Sequence, residues 1–465
     1  MVTHCVSRLL ALIVIPIFSF LLAVPSASAE SMKSAVHAAV TTNPKAQAGK
    51  ENVKASALEL LQLEEDFMPR LSLYGEAGAQ YFDDPTRLSP LDNRRTRFGR
   101  EIGLAAEVTL FDGYRRANRV YRNSARVDES IFKLLDASET LALNAVEAYI
   151  DVIRHTDLLG VADQNIRRHI EISRSVKKLV KAGRLSSSDE FEIDEQLLAA
   201  RLSRLEVKQA LENAKVRYET VVGYKPTGNM SVPNVRELPD TLRELLIRSV
   251  SNNFRVRLAD TRVQQSKYQA GINRSDELPE LKLRAGIRHG ADLDGLSGNE
   301  SDAFVGLQLN WDLYAGGRKA RRSALSRRTS EALAERAEVV REVQELTSRD
   351  WISYGTGIER TVLLGNQRAA ARKTADQYQM QFDGGTRSLL DVLDAERTFF
   401  NVRFEEVSAK ASLAFSQFRL LATQSQLANY FGARPADVPL MPNYEKRARA
   451  SRPAAIFNTE IRALE

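Results

Sequence analysis

Cysteine is almost missing from this 465-residue chain: Cys5 is the only one, and it lies in the apolar leading segment. Past that segment there is no thiol for a disulfide or for nucleophilic chemistry. Aromatic residues make up 7% of the chain against 27% charged, which argues against large aromatic cores and for long helices with polar faces. No later stretch approaches the roughly 18 uninterrupted apolar residues of a membrane-spanning helix. Histidine is scarce too: His4 belongs to the leader, and His37, His155, His169 and His289 stand far apart, with no metal-ligand spacing. A phosphate-binding glycine loop is also missing, so neither catalysis nor a cofactor is expected. The 66 basic and 60 acidic residues are mixed along the chain, a solvated-surface pattern that excludes a nucleic-acid footprint. Proline is missing between Leu91 and Lys225 and between Glu280 and Arg434, which leaves room for very long helices.

What is present begins with "MVTHCVSRLLALIVIPIFSFLLAVPSASAE": a basic Arg8, an apolar run from Leu9 to Val24, and Ala27-Ser28-Ala29 as a small-residue cleavage site. This reads as a signal peptide over residues 1–29, so the exported chain is expected to start at Glu30. The alternative, a membrane anchor, needs a longer apolar run.

The rest is written twice. A helical pattern ends at Pro69 and turns into a strand, and the same happens at Pro279. "TLFDGYRRANR" is echoed by "DLYAGGRKARR", and "KAGRLSSSDEFEIDEQL" by "DGGTRSLLDVLDAERTF". Residues 30–235 and 236–431 thus form two repeats, each ordered helix, strand, loop, strand, long helix, glycine turn, helix. The remaining segment, 432–465, with Pro435, Pro439, Pro442 and Pro453, is expected to be a disordered periplasmic tail.

Four strands are expected at about 71–81, 100–111, 281–289 and 303–313, with exposed loops at 82–99 and 290–301. In the first, Leu71, Leu73, Ala77 and Ala79 alternate with Ser72, Tyr74, Glu76 and Gln80; in the last, Val305, Leu307 and Leu309 alternate with Gln308 and Asn310. Tyr81 and Trp311 sit near strand ends, where an aromatic girdle belongs, and the length suits a tilted strand with one face in lipid. A half-buried sheet on a soluble core also alternates this way. If the strands lie in lipid, four cannot close a barrel, and an open edge in hydrocarbon would leave unpaired N–H and C=O groups. Copies of the chain must then pool their strands.

Long helices are expected over 116–222 and 318–430. Val127, Ile131, Leu134, Ser138, Leu141, Ala145, Ala148 and Val152 keep a three-and-four spacing, and Phe400, Phe404, Val407, Ala411, Ala414, Phe418 and Leu421 trace a heptad seam. Helices this long need partners along their length, which a hollow coiled-coil cylinder or a solid rod supplies. "AGRLSSSD" and "GGTRSLLD" are then hairpin turns, each with a glycine to end one helix and an S-x-x-D cap, Ser186 with Asp189 or Ser388 with Asp391, to start the next. Capping accounts for Asp391 but not for Asp394, one turn on. In a symmetric assembly the two would stack as rings of negative charge that select cations, with Arg387 as a partner.

The order of elements, "NPKAQAGKENVKASALELLQLEEDFMPRLSL", "TLFDGYRRANR" and above all "QFDGGTRSLLDVLDAERTFFNVRFEEVSAKASLAFSQFRLLA" resemble the TolC family of outer-membrane exit ducts, over about residues 31–431. The resemblance implies a mainly α fold with membrane β: a homotrimer whose protomers each give four strands to a twelve-stranded barrel in outer-membrane lipid and long coiled-coil helices to a periplasmic tunnel. It implies docking by the tip onto a periplasmic adaptor (membrane fusion protein) and an inner-membrane transporter of the ABC or RND type. By motif match it makes Asp391 and Asp394 the constriction carboxylates and Arg387 with Asp189 the gate, with Phe382 where the family has a gate tyrosine. Gly183, Arg184, Leu185, Gly385 and Thr386 become candidate adaptor contacts, or plain turns. The basic sets Arg115, Arg116, Arg119 and Arg318, Lys319, Arg321, Arg322 are expected either to meet anionic headgroups or simply to solvate their helices. The function expected is an exit duct for type I protein secretion; small-molecule efflux and a non-channel periplasmic coiled coil are the alternatives.

Overall fold

A computed structural model describes residues 31–83, 94–235, 238–293, 298–435 and 438–449. The signal-peptide reading of 1–29, most of the loop assigned to 82–99, part of that assigned to 290–301 and the last stretch of the tail lie outside the described residues.

The chain enters through α1 (Met32–Thr42) and α2 (Pro44–Glu65), separated by Asn43, whose side-chain oxygen accepts the Lys45 N–H. α5 (Leu242–Asn252) and α6 (Phe254–Arg274) repeat the device: Asn253 accepts the Arg255 N–H. An asparagine in extended conformation both stops one helix and caps the next. After α2 come strands β1 (Arg70–Asp83) and β2 (Arg94–Phe111), then α3 (Arg115–Lys181) and α4 (Ser187–Val222). After α6 come β3 (Glu280–Ala291) and β4 (Asn299–Asn310), then α7 (Arg318–Asp383) and α8 (Leu389–Thr423). The 67 residues of α3 span about 100 Å at about 1.5 Å per residue.

The four strands form one antiparallel sheet in the order β1-β2-β3-β4. Its register puts Leu73, Leu104, Ile287 and Ala303 in one row and Leu71, Ala106, Ala285 and Val305 in the next row on that face. This face is bare: Leu73, Ile287, Val305 and Leu307 are each more than half exposed. The opposite face carries a ladder of ion pairs, Glu107 with Lys282 and Arg284, and Glu101 with Arg288, which also meets Asp302. A sheet resting on a soluble core would bury its apolar side, and this one does not.

β2 starts at Arg94, well before the expected boundary, because Arg94, Arg95 and Arg97 hide the alternation while Phe98 continues the bare face opposite Ala79. β4 ends at Asn310 instead of 313, leaving Trp311 to donate from its indole to the Glu277 carbonyl.

The helices follow the strands around in the same order, α2 on α3, α3 on α6, α6 on α7. Toward the other end α4 packs on α3, α3 on α8 and α8 on α7. At the middle, Met32, Val36, Tyr149, Tyr218, Phe418 and Phe431 belong to one apolar core that joins the two halves. Helix α7 is the exception: few of its 66 residues are buried, while Ile352, Val362, Leu363 and Met380 are exposed.

The last expected helix is interrupted. α8 stops at Thr423, Ser425 takes a left-handed turn, and a short α9 (Leu427–Tyr430) follows. Glu139 of α3 caps α9 by accepting the Leu427 and Ala428 N–H groups, with Arg434 beside it. Burial pushes the Glu139 carboxyl up to about 7 against the pull of Arg434 and those N–H groups.

The expectation of a disordered tail is wrong for its described part. Val438 is buried, and α10 (Tyr444–Ala448) lies on α3 with Arg447 paired to Asp128 at 3.0 Å, both side chains 1% exposed. Composition pointed to disorder because the anchors are single residues, one of them an arginine whose partner lies far away in sequence.

Candidate gate at the helical tips

Both hairpins end in the same backbone lock. Gly183 is left-handed at φ 69°, its N–H donates to the Val180 carbonyl, and the Arg184 N–H reaches back to Leu179 at 2.9 Å. Gly385, φ 80°, repeats it with Phe382, and Thr386 with Gln381, again at 2.9 Å. A side chain at either glycine would strain a conformation that satisfies the last carbonyls of α3 and α7. Gly183, Arg184, Gly385 and Thr386 are exposed, with Leu185 partly covered.

The caps follow. The Asp189 carboxylate accepts the Ser186 N–H at 2.9 Å and its hydroxyl at 2.7 Å. The Ser388 hydroxyl donates to Asp391 at 2.8 Å and accepts the Asp391 N–H at 3.2 Å. Asp394, one turn deeper, is exposed and pairs with Arg397 at 3.0 Å, a partner that sequence reasoning missed. Asp391 and Asp394 share one face of α8, while Leu389, Val392 and Leu393 are buried.

The residues expected to form a gate are not all brought together. Arg387 stays within its own hairpin: its guanidinium lies 3.9 Å from the Tyr378 ring centroid, bonds Gln381 at 3.2 Å and sits 3.9 Å from Asp391. Within one copy it does not touch Asp189. Phe382 is 3% exposed, in a core with Ile172, Val176, Ile193, Leu389 and Val392, so within one copy it packs the two hairpins together. Tyr378 and Gln381 escaped notice because they meet Arg387 only across the turn, at a spacing no helical period marks.

One charged link joins the hairpins near this end: Arg168 of α3 donates to Glu396 of α8 at 2.5 Å, and Glu396 is buried. Higher up, Glu406, also buried, pairs with Arg368 and Lys410, and buried Asp350 pairs with Arg419. Deep positions of α7 and α8 thus hold carboxylates, and each is matched by a cation that offsets its desolvation.

Residues 245–423 match the family described as Outer membrane efflux protein. The chain is 22% identical to the Outer membrane efflux protein BepC of Brucella suis biovar 1 over 353 residues, 74% of this chain and 76% of that one. It is 24% identical to the Proteases secretion protein PrtF of Dickeya chrysanthemi over 327 residues, 64% of this chain and 69% of that one. Among solved structures, the outer-membrane channel OprN superposes with a TM-score of 0.73 at 21% identity, covering 85% of this chain and 89% of its own.

Proposed function

We propose that this chain is a TolC-family outer-membrane efflux protein, three copies of which close a barrel in the outer membrane and form an exit duct for type I protein secretion. The observation that carries the proposal is the sheet: four strands, one bare apolar face and two edges with no partner among the described residues. An edge in hydrocarbon must be paired, and three such sheets joined edge to edge give twelve strands with a wet interior. Helices that follow the strands in order then continue the wall below the membrane as a tube.

In this reading the inner-membrane transporter supplies the energy and a periplasmic adaptor grips the tip at Gly183, Arg184, Leu185, Gly385 and Thr386. Asp391 and Asp394 of three copies stack as acidic rings that favour cations. Arg387 and Asp189 hold the closed state from separate hairpins, meeting between copies, and Phe382 keeps each copy's hairpins moving as one body. The likeness to PrtF, named for protease secretion, supports protein cargo; the likeness to BepC, named for efflux, supports small-molecule cargo as the second reading. Deleting the gene separates them. Protein secretion requires a protein to vanish from the culture medium, and small-molecule efflux requires sensitivity to toxic compounds with the medium unchanged.

The acidic rings have their own test. With Asp391→Ala and Asp394→Ala together, the cation preference read from reversal potentials in planar bilayers is expected to fall several-fold. An unchanged reversal potential would remove the assignment.

A further inference from the structure

The last turns of α2 and the first turns of α7 carry charge of the wrong sign for their own helices. Glu59, Glu64, Glu65 and Asp66 crowd the C-terminal end of α2, which has no basic residue in its last turn. Lys319, Arg321, Arg322, Arg327 and Arg328 crowd the N-terminal end of α7, which has no acidic residue in its first turn. A helix is stabilised by the opposite arrangement in its last and first turns, so Glu64, Glu65 and Asp66 on α2, and Lys319 and Arg321 on α7, gain nothing from their own helix ends.

Part of each set is used inside the copy. Arg321 meets Asp276, Arg322 meets Glu277, Arg328 meets Glu331, and Glu59 meets Arg126. Arg115 and Arg116, expected to face headgroups, are likewise taken, by Asp276 and Asp112. Left over among the described residues are Lys319 and Arg327 on one side, and Glu65 and Asp66 on the other. Glu64 beside them has both carboxylate oxygens covered and unbonded.

Topology says where these leftovers go. β1 and β4 are the free edges, α2 leads into β1, and α7 leads out of β4. The helices run α2, α3, α6, α7 in the same order as the strands, so joining β4 of one copy to β1 of the next sets the start of α7 beside the end of α2 at one level. The exposed residues of α2 recur at helical spacing through Glu51, Ala55, Leu58, Gln62 and Asp66, a face with nothing on it inside the copy.

We propose that the acidic end of α2 docks on the basic start of α7 in a second copy of this chain, with Glu65 and Asp66 facing Lys319 and Arg327. The contact rests on the assembly proposed above and adds its register. A one-strand slip, or a copy inserted the wrong way round, would set like charges together or leave both sets unpaired, so the seam selects the closing geometry.

The test is a charge reversal in the full chain, reading the temperature at which the detergent-solubilised oligomer dissociates on unheated-to-heated gels. Lys319→Glu with Arg327→Glu should lower that temperature by several degrees, as should Glu65→Lys with Asp66→Lys. All four together should recover most of the loss, and the differences should shrink at high salt. Additive losses in the fourfold variant, or no loss in either double variant, overturn the seam while leaving the oligomer intact. Unchanged dissociation with loss of co-purifying phosphatidylglycerol in the α7 variant overturns it too, and gives the basic set to lipid headgroups. A wild-type chain that never associates removes the assembly itself, a result readable before any variant is made.

Discussion

Val305→Arg is expected to abolish the assembled, heat-modifiable form and to leave little protein in the outer-membrane fraction. Val305 lies in the middle of β4, 77% exposed, in a row with Leu71, Ala106 and Ala285 on the bare face. An arginine facing lipid at the bilayer midplane costs about 2–4 kcal/mol, and three copies multiply that to about 6–12 kcal/mol, comparable to the whole stability of a domain. Ser72→Arg is the control. Ser72 lies on the opposite face, where Lys282, Arg284 and Arg288 already reside, so the same side chain there should assemble nearly normally. If Val305→Arg and Ser72→Arg assembled alike, the apolar rows would not be facing lipid.

Arg447→Ala should be the most damaging single truncation in the helical part, at about 3–5 kcal/mol per copy. The guanidinium is the only cation paired with Asp128 among the described residues, and it also donates to the Ser124 carbonyl at 2.9 Å. Its removal strands a carboxylate already held above its ordinary pKa by burial, against the pull of Arg447 and of the Asn443 and Tyr444 N–H groups. An acid whose folded pKa is raised is best tolerated protonated, so its destabilising effect grows as pH rises above the unfolded value near 3.8. The variant should therefore lose more relative to wild type at neutral pH than in mild acid. Limited proteolysis of the 438–449 segment, followed across pH, reads this directly; equal cleavage of variant and wild type would mean the segment is held by other contacts.

The sequence exposed those features whose signal is local. Leu71, Leu73, Val305 and Leu307 alternate with polar neighbours, and the pleat turns alternation into a bare face. Ser186 with Asp189, and Ser388 with Asp391, sit three apart and cap as that spacing demands. Val127 to Val152 on α3 are buried at the expected period. Features set by distant partners stayed hidden. Arg387 finds Tyr378 only once the hairpin has turned, Glu396 is tolerable in a core only because Arg168 lies across from it, and Arg447 is an anchor only where Asp128 waits. Phe382 falls at the motif's gate position, and nothing local shows that Leu389, seven residues on, and the facing Ile172 and Val176 close a core over it. Alternation gives way in β2, where Arg97 and Arg100 fall on opposite faces of the strand. The face of α7 that stays uncovered within one copy leaves no trace in the sequence beyond its Ile352, Val362 and Leu363.

The barrel, the tube and the gate depend on one physical condition, that the two free edges of the sheet pair with other copies of the chain in lipid. The mass of the detergent-solubilised protein, measured by native mass spectrometry or light scattering, tests it most directly. Three chain masses in one closed particle are predicted, and a single chain that stays dissolved in water without detergent would contradict the barrel, the tube and the gate together.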